Sequence, residues 1–208
     1  MGEDKLWIQV GGRPLIAWTL DAVGRAACFD RLVVAAPQVR WPAVEALATA
    51  AELGDVRLVE GGARRQDSVA AALAECGDAE WIAVHDAARP LAPPELFRAV
   101  LSAARSGGAA TAGVPCVDTV KRVEEGRVLA TLERDALIAT QTPQAFAAAL
   151  LVRAHDEARR RNVRGDDDAY LVELLGEPVT VVPGDPRNVK VTRPIDLTLV
   201  RALLEDAR

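Results

Sequence analysis

Along nearly the whole chain, short apolar runs alternate with stretches whose apolar residues recur at helical spacing. Four runs, Arg31-Leu-Val-Val-Ala-Ala36, Val56-Arg-Leu-Val-Glu60, Trp81-Ile-Ala-Val-His85 and Gly108-Ala-Ala-Thr-Ala-Gly-Val114, are β-branched or small and apolar and are bounded by turn residues. Strands covered on both faces have this character, whereas half-exposed strands alternate. Between them the spacing predicts helices over 13–27, 42–52, 65–76 and 93–106. Pro93 and Pro94 suit a helix start and Gly107-Gly108 its end. Such alternation builds a mainly parallel sheet with helices on both sides, an α/β fold.

The pattern changes over 115–141. Val117-Asp-Thr-Val-Lys-Arg-Val123 and Val128-Leu-Ala-Thr-Leu132 flank Glu124-Glu-Gly-Arg127 and read as two strands about a turn at Gly126. Their sparse apolar content does not suit a central strand, so a hairpin projecting from the body and needing a partner to cover it is expected. Helices follow at 146–161 and 168–175, then a strand at 178–183, a short segment at 187–191 and a helix from Pro194 onward. No internal repeat, low-complexity segment or linker is present. At the start only Leu6-Trp-Ile-Gln-Val10 could be a strand, although an open α/β sheet usually begins with one that delivers a phosphate-binding loop.

Composition narrows the class. A length of 208 residues suits one α/β domain with a sizeable core. No apolar run reaches the roughly 18 residues of a membrane span, and no leader follows Met1, so a cytoplasmic protein is expected. A net charge of −5 argues against a nucleic-acid surface, yet leaves room for a local cationic site for small anions. Cys28, Cys76 and Cys116 fit neither a zinc pattern nor a disulfide framework and read as buried free thiols. Only Lys5, Lys121 and Lys190 stand against 22 arginines. A lysine is a compact charge that approaches phosphate where a planar guanidinium does not fit, although three could also survive by chance.

Ligands of open parallel sheets bind beyond the carboxyl ends of the strands, so the polar clusters there are the candidates. Glu60-Gly-Gly-Ala-Arg-Arg-Gln-Asp-Ser68 runs two glycines into a helix N-terminus, which suits an anion or a base edge, or is an ordinary turn. In His85-Asp-Ala-Ala-Arg-Pro90, Asp86 suits a hydroxyl or metal contact, with Arg89 as its structural partner in the simpler reading. Lys190, between Val189 and Val191, points opposite to both if the segment is extended, or is an edge-strand lysine. Arg164-Gly-Asp-Asp-Asp168 reads as a solvated helix start. His85 and His155 match neither a triad nor a metalloprotease spacing, His155 is expected at the surface, and nothing suggests covalent catalysis.

Together these strings resemble the 2-C-methyl-D-erythritol 4-phosphate cytidylyltransferases over essentially the whole length. The resemblance rests on Asp4-Lys5, Gly11-Gly-Arg-Pro-Leu15, Gly61-Gly62 with Arg65 and Asp67-Ser-Val69, His85-Asp-Ala-Ala-Arg-Pro90, Asp118-Thr-Val-Lys121, Gln141-Thr-Pro-Gln144, Asp167-Asp168 and Asn188-Val-Lys-Val-Thr-Arg-Pro194. It implies a three-layer, Rossmann-like nucleotidyltransferase fold, one domain over 1–208 with a dimerisation arm at 115–141. It implies transfer of CMP from CTP to the sugar-alcohol phosphate, with Mg²⁺ held mainly by CTP phosphates and no protein metal ligands. Lys5, Lys190 and Arg134 would be catalytic, and Gly62, Ala63, Arg65, Ser68 and Ala87 would bind the nucleotide. Asp86, Thr119, Thr142, Arg134 and Lys190 would bind the acceptor, Thr119 and Arg134 reaching in from a second subunit of a homodimer. Family members open with a strand and an Ala-Ala-Gly-x-Gly-x-Arg loop that ends just before Met1, so a mis-assigned or truncated start is expected. Ala63 replaces a residue that is often acidic in the family. Alternatives are a ribitol 5-phosphate cytidylyltransferase, an inactive truncated homologue, or a relative using another nucleotide.

Overall fold

A computed structural model describes residues 3–206, the side chains of Glu3, Asp4 and Asp206 apart. The chain opens with a 3-10 turn, Glu3–Trp7, and a minimal antiparallel pair, β1 (Gln9–Val10) and β2 (Arg13–Pro14). The strand considered for 6–10 is therefore reduced to two residues. Next come α1 (Leu15–Ala26), β3 (Arg31–Ala35), α2 (Trp41–Ala50), β4 (Asp55–Val59), α3 (Arg65–Ala74) and β5 (Trp81–Val84). They are followed by α4 (Pro94–Gly107) and β6 (Ala109–Pro115). Pro94 opens α4, and its end is closed by Gly108, whose φ of 86° a side chain would disfavour.

The arm is present as β7 (Lys121–Glu124) and β8 (Arg127–Thr131), a two-stranded sheet of its own. Val117, Val123, Val128 and Leu129 are exposed along it or beside it, Val117 to 83%. After it comes β9 (Ile138–Ala147), a ten-residue strand that the pattern did not reveal. The helix expected from 146 begins two residues later as α5 (Ala148–Arg160), followed by α6 (Asp168–Glu173), β10 (Thr180–Pro183) and α7 (Pro194–Asp206). Residues 187–191 form no strand.

Four strands pair in the order β10-β6-β9-β5, with β9 antiparallel to both neighbours. The other three strands of this sheet run one way, so the α/β reading holds with one reversed strand inside it. Small residues fill β6, allowing Leu96, Val100, Leu101 and Ala104 of α4 to pack closely on Ala110, Ala112 and Ala145. On the opposite face Phe146 and Ile82 pack with Leu151 and Ala154 of α5 and Leu171 and Val172 of α6. Helices thus cover both faces, the three-layer arrangement.

β3 and β4 form a separate parallel pair. Between β3 and β5 lies a cavity of about 760 Å³ that reaches from Arg31 and Glu80 to Ala35 and Ala87. All five residues of β3 are only half-buried, and α3 has no buried residue. No helix among the described residues is long and apolar enough to cross a membrane.

Candidate active site

The carboxyl end of β5 carries the centre of the site. Asp86 Oδ1 accepts from Arg65 Nε at 2.8 Å, and Lys190 Nζ lies 2.8 Å from Oδ2. Arg89 Nε is 3.8 Å from the same oxygen. Burial alone would raise the Asp86 carboxyl, but Arg65 and Lys190 overcome it and hold it well below the usual carboxylate range. Arg65 also reaches the fully buried Asp168 at 2.8 Å. Burial disfavours its charge, and the two carboxylates reverse that and raise its pKa. Arg89 is different: burial lowers its pKa, and its guanidinium donates to Asn188 O at 2.7 Å. Its N–H closes the turn onto Asp86 O, so the bracing role is the one observed.

A hydrogen-bonded chain stands behind Asp86. His85 Nε2 is 3.3 Å from Arg89 O, an acceptor only, so Nε2 carries the proton and Nδ1 is bare. Nδ1 then takes the Thr142 hydroxyl proton at 3.1 Å, and Thr142 Oγ1 accepts the Asp86 N–H at 3.0 Å. Burial against Phe97, ring to ring at 4.8 Å, lowers the His85 pKa to about 4. A neutral imidazole thus orients Thr142, and Thr142 orients Asp86.

Thr142 reaches that position through a bulge. Thr111 and Ala112 are adjacent on β6 but pair with Gln144 and Gln141 on β9, leaving Thr142 and Pro143 outside the ladder. Bulges re-aim side chains in this way and tolerate proline. Asn188, fully buried, donates to Thr142 O at 2.8 Å and Gln141 Oε1 at 3.1 Å, while Val191 N binds Ala88 O. These bonds fix the segment that presents Lys190.

The glycine loop lies beside this cluster. Ser68 Oγ donates to Arg64 O and accepts the Gly62 N–H at 3.0 Å, folding the loop over the start of α3. A Cβ on Gly62 would come within 2.4 Å of the Asp67 Cβ, so only glycine fits. Ala63 is exposed at the loop tip, and Ala87 O accepts the hydroxyl of buried Thr19 at 2.8 Å.

Glycine loop, cation cluster and invading hydroxyl chain on one strand edge are a nucleotide-handling arrangement, and comparison with known proteins names it. A sequence model of the 2-C-methyl-D-erythritol 4-phosphate cytidylyltransferase family (IspD) matches residues 1–206. The chain belongs to this family. It is 40% identical to the cytidylyltransferase of Bacillus mycoides over 98% of the chain and 90% of that protein. To that of a Synechococcus species it is 43% identical, over 98% and 93%. Among solved structures, the 4-diphosphocytidyl-2C-methyl-D-erythritol synthase of Anaerococcus prevotii superposes with a TM-score of 0.91 at 29% identity, covering 98% of this chain and 94% of that one. The Thermus thermophilus cytidylyltransferase gives 0.78 at 38%, covering 98% and 95%.

The remaining residues of the sequence reading fall in two places. Lys5 belongs to the opening 3-10 turn, whose neighbour Leu6 packs into one apolar cluster with Val10, Val189 and Val191, so Lys5 and Lys190 leave the same cluster. Thr119 and Arg134 are exposed at the base of the arm, with Arg134 donating to Val117 O at 2.9 Å. Lys121 instead bonds Thr131 across the hairpin at 2.6 Å. Two readings are corrected. His155 is buried and meets Asp168 at 2.9 Å, and the 164–168 stretch is no wholly solvated helix start, because Asp168 is buried between His155 and Arg65. Sequence reasoning missed Gln144, fully buried, whose Nε2 reaches Thr111 and Asp167 and whose Oε1 accepts from Asp168 N and Ala169 N. It also missed Thr19.

Proposed function

We propose that the chain transfers CMP from CTP to 2-C-methyl-D-erythritol 4-phosphate, giving 4-diphosphocytidyl-2-C-methyl-D-erythritol and pyrophosphate in isoprenoid precursor synthesis. The observation that carries this is the convergence of Arg65, Arg89 and Lys190 on Asp86 beside the Gly61–Gly62 loop, with no nucleophile in reach. An acceptor phosphate is already anionic, so it attacks the α-phosphorus directly; the new P–O bond forms as the bond to pyrophosphate breaks. The chain's task is alignment and charge neutralisation.

In this reading Gly62, Ala63 and Ser68 bind the cytosine edge and Arg65 and Ala87 the rest of the nucleoside side. Lys5 stabilises charge at the departing pyrophosphate. Lys190 leaves Asp86 to meet the incoming phosphate, with Arg134 and Thr119 from the arm of a second subunit, and Asp86, released from Lys190, binds a polyol hydroxyl. Thr142 supports Asp86 from behind. The exposed valines of the arm support a homodimer that covers them. Among the described residues no group of three or more His, Cys, Asp or Glu is placed to hold a metal, and the Asp86 oxygens already face cations. That donor set fits a Mg²⁺ bound chiefly by the triphosphate, where it supplies charge neutralisation at the phosphates.

The test is pyrophosphate release from CTP and Mg²⁺ with either methylerythritol phosphate or ribitol 5-phosphate. It is run on this chain and on a form preceded by the strand and Ala-Ala-Gly-x-Gly-x-Arg loop. Release with the first acceptor is expected; a preference for ribitol 5-phosphate, or no release in either form, overturns the reading.

A further inference from the structure

We infer that the cavity between β3 and β5 is an acceptor for one extended polypeptide strand, apolar on both faces and running parallel to its two neighbours. The bounding strands face each other with unpaired edges. β3 bonds only β4, and β5 bonds only β9. Their directions agree, because α3 lies against both in the opposite sense. At its start Arg65 meets Asp86 at the end of β5, and Ser68 lies by Gly61, next to Ala36 at the end of β3. At its far end Arg31, the first residue of β3, donates to Cys76 O.

The cavity's shape selects the occupant. Ile16 and Leu20 of α1 close one face and Val69 and Leu73 of α3 the other, so both faces of an inserted segment meet apolar side chains. Five residues of β3 set a length of roughly 17 Å at about 3.3 Å per residue. Two rows of unpaired N–H and C=O groups need a backbone ladder on each side, which an apolar small molecule cannot supply. The half-buried β3 and the unburied α3 are the elements such a strand would cover. Its carboxyl end would emerge beside Ser68, Asp86 and Ala87, at the site already described.

The cysteines provide a readout that does not involve turnover, so this inference and the proposed activity fail separately. Cys28 and Cys76 line the cavity, whereas Cys116 does not. The probe is a synthetic peptide, Lys-Lys-Val-Ala-Val-Val-Ala-Gly-Gly, with a control carrying proline at the central valine, which cannot complete the ladder. Binding should slow alkylation of Cys28 and Cys76 by about tenfold or more relative to Cys116. It should also slow exchange at the β3 and β5 amides outside the β3–β4 and β5–β9 ladders. Ala72→Trp, which fills the cavity from α3, should abolish both effects. If the free peptide gives neither, the same segment is fused ahead of Met1, where tethering supplies a millimolar-range effective concentration. An unchanged melting temperature and unchanged amide exchange in the fusion overturn the inference. So do equal protection by the proline peptide, equal protection by a small apolar molecule such as benzene, or protection that appears only as the chain dimerises without peptide.

Discussion

Acidification should weaken the fold through one imidazole. The folded-state pKa of His85 is about 4 against an ordinary 6.5, because burial disfavours its charged form. As pH falls through that window the unfolded chain takes up a proton that the folded chain refuses. Stability is therefore complete above 6.5 and is lost progressively down to 4. At about 1.4 kcal/mol per pH unit the ceiling is roughly 3 kcal/mol. One edge of the ring borders the β3–β5 cavity, and solvent there reduces the expected loss to about 1–3 kcal/mol. Urea unfolding followed by tryptophan fluorescence, on the native chain and on His85→Asn, isolates the contribution. The stability difference between the two proteins should shift against the native chain between about pH 7 and about pH 4.5. A difference that stays constant over that range would refute the neutral-imidazole chain from His85 through Thr142 to Asp86.

Three further outcomes are expected. Lys190→Ala should lower turnover about 10²–10³-fold. Its ion pair is 39% exposed on the lysine side, so the melting temperature should fall by no more than about 2–4 °C, as calorimetry can check. Gln144→Ala removes a fully buried amide from two backbone N–H groups and two side-chain partners, and should cost about 2–4 kcal/mol in urea unfolding. Mixed dimers of Arg134→Ala and Lys190→Ala chains should regain activity that neither parent has; a purified heterodimer without recovery counts against a site shared between subunits.

The α/β alternation was readable because most strands are apolar runs and most helices are amphipathic. β9 was not, because its centre is Gln141-Thr-Pro-Gln144, polar and interrupted by proline. Those residues are buried in hydrogen bonds to Asp185, Asp86, Asp167 and Asn188, partners that only the tertiary fold supplies. His155 could have been found. Leu151, Ala154, His155 and Ala158 share one helical stripe, and the charges around them disguised it. The site strings were legible as strings. That Asp86 gathers three cations was not, since Lys190 and Arg65 arrive from distant segments.

The surplus pair Thr142–Pro143 sets two demands against each other. Excising both residues would let β6 and β9 zip without interruption, and the sheet itself would gain regularity. The same excision would strip the Asp86 amide of its hydroxyl and leave the His85 ring facing nothing. Directed evolution that rewards heat tolerance alone would thus drift toward closing the ladder, and its survivors would be sturdier proteins with a disarmed strand end.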